Sequence, residues 1–200
     1  MMRGPGGGGT ASEGFCWVDL LLAMALAALI AAMAVPLTAR SLDTLRARDA
    51  AGFIGTRIRA ARQQAVASSA GVALVFDQTG AGWTFRLCRD RNGNGVRRAD
   101  IDAGRDECPD GPWRLSDLFP NMFVGRDATV PGFDAEPGSA DPLALGRANM
   151  VSCSTAGGCT TGSVFLQSAS GEQYAVRVSG VAGRTRVFRF DRGLGRWVTG

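Results

Sequence analysis

Apolar positions along this chain change their period twice. Residues 15–35 form one apolar run in which Asp19 is the single charge. About 20 apolar residues at ~1.5 Å rise span a ~30 Å hydrocarbon core. The run therefore predicts a membrane-spanning helix over 15–36, with Pro36 kinking it rather than ending it. Over 37–70 the apolar positions recur at three and four residues, at Leu42, Leu45, Ile54, Ile58, Ala61 and Ala65, while Arg46, Arg48, Arg57, Arg59 and Arg62 take other faces. This predicts an amphipathic continuation of the same helix, its arginines solvated, with Gly71 as the stop. Beyond Gly71 the period falls to two. Strands are expected at 72–76 and 83–88 around a turn, then at 150–153, 162–167, 173–178 and 184–190, with 196–198 at an edge. Between 107 and 148 proline, glycine and aspartate predict long loops with short islands at 113–115 and 122–124. The whole pattern predicts an α+β fold, one long amino-terminal helix packed on an antiparallel β-domain, 71–200, of two small sheets.

A carboxylate inside an apolar span costs about 2.5–3.5 kcal/mol by insertion scales, which makes Asp19 a candidate functional residue. A cut between Gly14 and Phe15 would set a new α-amine one helical turn from Asp19, and the two charges are best satisfied between neighbouring copies. Gly14-Phe15, a carboxylate at the fifth place after the cut, an apolar helix and Pro36 together resemble the amino-terminal signature of type IV pilins and type II secretion pseudopilins. Aspartate stands where that family usually has glutamate. The resemblance implies a leader, 1–14, removed by a prepilin peptidase, N-methylation of Phe15, and assembly through Asp19 and Pro36 with other pilin or pseudopilin subunits. It also implies a single pass through the bacterial inner membrane with the β-domain in the periplasm. The alternative is an ordinary secretory signal, with 20–30 as its apolar region and Ala32-Met33-Ala34 as its cleavage site, on a secreted or anchored β-rich protein. The mature amino terminus separates the two: Phe15 or Val35.

Composition narrows the chemistry. The 200 residues carry a formal net charge of +4, and all 22 basic residues are arginine, the better bidentate partner of phosphate and carboxylate. So mild a balance does not by itself imply nucleic acid. The chain has no histidine, so no Ser-His-Asp or Cys-His nucleophile pair and no histidine metal ligand can be built. No convergent catalytic group is found, and the chain reads as non-enzymatic, with no cofactor or metal implied. Of the five cysteines, Cys16 lies in the apolar span, and an exported domain favours disulfides among Cys88, Cys108, Cys153 and Cys159. Four cysteines allow three pairings, which the sequence does not decide; proximity favours Cys153 with Cys159, and then Cys88 with Cys108.

Two further stretches carry candidate chemistry. Asp90-Arg-Asn-Gly-Asn-Gly95 is like the opening of a calcium loop, but Ile101 occupies the twelfth place, where an acid is needed. A glycine-rich acidic turn is the simpler reading. Near the end, Gly183-Arg184-Thr185-Arg186 puts two arginines just after a glycine turn, with Arg177 on the preceding strand and Arg189 three residues on. Arg184 and Arg186 point the same way on a strand, so their guanidinium groups suit adjacent phosphates. The pilin start, the Asp-x-Asn-Gly-Asn-Gly loop and the Gly-Arg-x-Arg element together resemble the GspH/FimT minor pseudopilins. That resemblance implies double-stranded DNA as a partner through Arg184 and Arg186, with Gly183 shaping the turn, and a place at the tip or start of a filament. Arg189 joins them from charge and spacing. The plainer reading pairs these arginines with Asp191 or Glu172, and Phe188, Phe190 and Trp197 read as core.

Overall fold

The computed structural model describes residues 17–133, 141–180 and 182–200, with the backbone alone described at 33–40. Two compact units emerge, Met1–Arg40 and Ser41–Gly200, and α1 (Trp17–Ser68) contributes to both. In the first unit every described residue is helical, through Pro36, and the apolar side chains from Trp17 to Ile30 stand exposed beside an exposed Asp19. Among the described residues no helix is long and apolar enough to cross a membrane. The described side chains of this unit cover 17–32, whereas the expected span also draws on 15, 16 and 33–35. Gly14 and Phe15, the expected cleavage and methylation site, lie outside the described residues.

In the second unit α1 buries Ala47, Ala50, Ala51, Ile54, Ile58, Ala61 and Ala65, a stripe at three- and four-residue spacing. Leu42 and Leu45, expected in this stripe, are instead 49% and 55% exposed. At about 100° per residue, Leu45 falls half a turn from Ile54 and Leu42 a third of a turn. Alanines close to the sheets take the place of those leucines.

Among the described residues ten strands follow: β1 (Val72–Thr79), β2 (Gly82–Arg89), β3 (Glu107–Arg114), β4 (Met122–Val124), β5 (Leu143–Ala144), β6 (Met150–Cys153), β7 (Gly162–Ser168), β8 (Gln173–Ser179), β9 (Arg184–Asp191) and β10 (Arg196–Thr199), with short helices α2 (Arg98–Asp102) and α3 (Leu115–Leu118) between them. They form two antiparallel sheets, β3-β2-β1-β6 and β10-β9-β8-β7-β4, with β5 also on β7. The α+β class with antiparallel sheets is as expected. β3 was not, because proline and glycine within it mask a strand. As an edge strand with two register slips against β2 it tolerates both residues.

Alternation divides the core. Val72, Leu74 and Phe76 of β1, with Val164, Leu166, Val176 and Val178, join the helix stripe in one cluster. Ala73 and Val75 turn to the other face and meet Cys88, Val96 and Met150. Disulfides join Cys88 to Cys108, between β2 and β3, and Cys153 to Cys159, which closes a small ring after β6. The first closes a loop of 20 residues, for which loop-closure entropy gives about 3 kcal/mol. Replacing Cys88 and Cys108 together by serine should lower the unfolding free energy in urea by about that amount.

The acidic loop serves as a lid on the second cluster, through Val96 and the half-buried Ile101. Its carboxylates act as acceptors for N–H groups. Asp90 Oδ1 accepts from the amides of Asn92 (3.1 Å) and Gly93 (2.8 Å), and Oδ2 from Gly95 (2.7 Å). Asp106 accepts from the amides of Arg91 and Arg97, and Asp100 accepts from Asn94 Nδ2 (3.0 Å) and Arg105 Nε (2.7 Å). The motif that is like a calcium loop is thus a cage of side chain-to-backbone bonds, and no group of three metal-ligating side chains forms among the described residues. Hydrogen bonds from Asn94 and then Arg105 hold the Asp100 carboxyl below its usual value, against the opposing effect of burial. Because the folded value lies below the unfolded one, near ~3.9, this contribution is complete above about pH 4 and disappears as pH falls through the folded value. Amide protection across 90–106, corrected for intrinsic exchange, should fall with acid before that of β1, and Asp100→Asn should remove the dependence.

Candidate nucleic-acid interface

The turn between β8 and β9 is fixed by its glycines. Gly183 has φ +56° and its amide donates to Gly180 O (3.2 Å). A Cβ there would lie 2.6 Å from Arg62 Cδ and 2.8 Å from Gly157 O, so glycine is required both for the left-handed backbone and for the close approach. Arg62 was expected on the solvated face of the helix. Its Nε instead donates to Gly157 O (2.8 Å), inside the Cys153–Cys159 ring. The amide of Cys159 in turn donates to Gly180 O (2.8 Å). Helix, disulfide ring and turn therefore meet around one guanidinium. Arg57, also expected to be solvated, pairs with Asp110 of β3 at 2.5 Å.

From this turn β9 leaves with Arg184 and Arg186 both exposed and on one face, opposite Ser179 and Arg177 of β8. Among the described residues neither arginine has an ion pair or a hydrogen bond. Arg177 lies over the Phe133 ring, 4.8 Å from its centroid. Arg189 lies on the other face of β9 and is 4.0 Å from Asp191, which matches the plainer reading for that residue alone.

The same face carries rings that were read as core. Phe188, Phe190 and Trp197 are half-buried on the outside of the six-stranded sheet, because alternation sends Val187 to the helix side and its neighbours away from it. They cluster with Phe133: centroids lie 4.9 Å from Phe188 and 5.1 Å from Trp197, and the Trp197 indole donates to Pro131 O (2.8 Å). An open groove of about 370 Å³ runs between Phe133, Arg177, Ser179, Arg186, Phe188 and Trp197. None of these six side chains is acidic.

Searches against protein-family models, curated proteins and solved structures find no match to this chain. The chemistry of the site therefore stands on its own residues. Two exposed arginines whose backbone positions lie about 6.8 Å apart along a strand, with no acidic side chain among the described residues of the adjoining groove, have the chemistry that suits adjacent phosphates. Arg62 and Phe133 were missed as contributors. Their partners are distant in sequence, and only the doublet Gly157-Gly158 inside the cysteine pair hinted at a close approach.

Proposed function

We propose that this chain is a minor pilin or pseudopilin of the GspH/FimT kind with a pilin-like fold. It is anchored in the bacterial inner membrane by 15–36 before it enters a type IV pilus or type II secretion pseudopilus, and it presents Arg184 and Arg186 to DNA. The observation that carries the DNA part is the pair of exposed arginines, without a partner among the described residues, behind a turn that admits only glycine. Phosphate contacts of this kind position the ligand without reading its bases, so binding is tolerant of sequence and falls steeply with salt.

The subunit role is supported by the long helix and by the apolar sequence of 15–35, in which Asp19 is the only charge. In this reading a prepilin peptidase cuts after Gly14, Phe15 is methylated, and Asp19 meets the amine of a neighbouring copy. The mass of the native protein should then correspond to a chain beginning at methylated Phe15; a chain beginning at Val35 would sink the proposal. A deletion strain scored for filaments, protein export and DNA uptake should lose at least one of the three, and which one is lost assigns the machine.

A further inference from the structure

We infer that the groove between Phe133, Phe188, Trp197, Arg177 and Arg186 takes an unpaired base, so that the ligand preferred by this face is single-stranded DNA. The inference rests on the DNA reading above and specifies its form. A duplex offers a protein surface its phosphates and groove edges, while its ring faces are stacked away inside. A groove lined by rings beside cations is used fully only by a base that has left the stack.

The rings here form a cluster against which a base can lie. Phe133, Phe165 and Trp197 are in mutual contact, with centroids 6.0 Å, 5.1 Å and 5.5 Å apart, and Phe133 is inclined 23° to Phe165 and 27° to Trp197. A planar base entering beside Phe188 joins this cluster. Arg177 lies against Phe133 within the groove, and Arg186 stands at its wall. Arg184, two residues earlier on β9, lies where the next phosphate of an extended strand would pass. Among the described residues no acidic side chain lines the groove, which favours an anionic ligand. The groove's ~370 Å³ suits one base rather than a helix of DNA.

The test uses the full chain in detergent and three labelled probes of equal phosphate number: oligothymidylate, a hairpin duplex and an abasic strand. Oligothymidylate should bind roughly tenfold more tightly than either of the others, the range expected for stacking a base on an aromatic side chain. Phe188→Leu, which keeps most of the apolar bulk and removes the ring, should erase that advantage and leave duplex affinity unchanged. Phe188→Ala should do the same, and the leucine variant guards against loss of fold. Equal affinity for all three probes overturns this inference and leaves the DNA reading in place, as does a Phe188→Leu variant that weakens all probes alike. Absence of binding to any probe overturns both.

Discussion

Replacing Arg184 and Arg186 together by alanine is expected to weaken duplex binding by roughly 60-fold at ~0.1 M salt, since each phosphate contact contributes about 0.9 to the slope of log K against log salt. The slope itself should become shallower by about 1.8. These residues support nothing else: among the described residues neither has a hydrogen bond or an ion pair. The double variant should melt no earlier than the parent. Titration of a labelled duplex at three salt concentrations, with a melting curve beside it, reads both effects. An unchanged slope would show that these arginines touch no phosphate.

The second large effect belongs to Gly183. Alanine there must adopt φ near +56°, which costs about 1–2 kcal/mol for a residue with a Cβ. Its methyl group must also displace Arg62 and the carbonyl of Gly157. Arg62 is a flexible side chain, but the carbonyl belongs to a ring closed by Cys153 and Cys159 and yields less easily. The sum is about 2–4 kcal/mol. For a unit of this size that is roughly 8 °C in melting temperature. Arg62→Ala in the same chain should recover only the side-chain share, and a double-mutant cycle isolates it. If Gly183→Ala melts like the parent, the turn is not held as described.

Much of the frame was legible because it rests on local periodicity. Ile54, Ile58, Ala61 and Ala65 announce the buried stripe, and the runs at 72–76 and 83–88 fall within β1 and β2. The placement of Leu42 and Leu45 was misjudged for a physical reason: apolar type outweighed helical angle, and alanine was undervalued as a contact surface. β3 escaped because an edge strand can hold prolines that a central one cannot. At the site, the spacing of Arg184 and Arg186 was enough to put them side by side. Their setting was not legible. Phe188, Phe190 and Trp197 look like core by type, and only the register of β9, with Val187 turned inward, sends them to the outer face. Arg62 gave no signal, since its acceptor lies 95 residues away.

Five of the eight buried positions described on α1 are alanine. A methyl is the least a chiral residue can bring to a contact, so this seam has almost nothing left to give up, and any gain in bulk wedges the helix outward at about 1–3 kcal/mol per step. Heredity should treat the two sides of the rod unequally. Lineages descended from this molecule will drift more freely along its outward side, Arg57 and Arg62 apart, and stay nearly fixed on the side that meets the sheets.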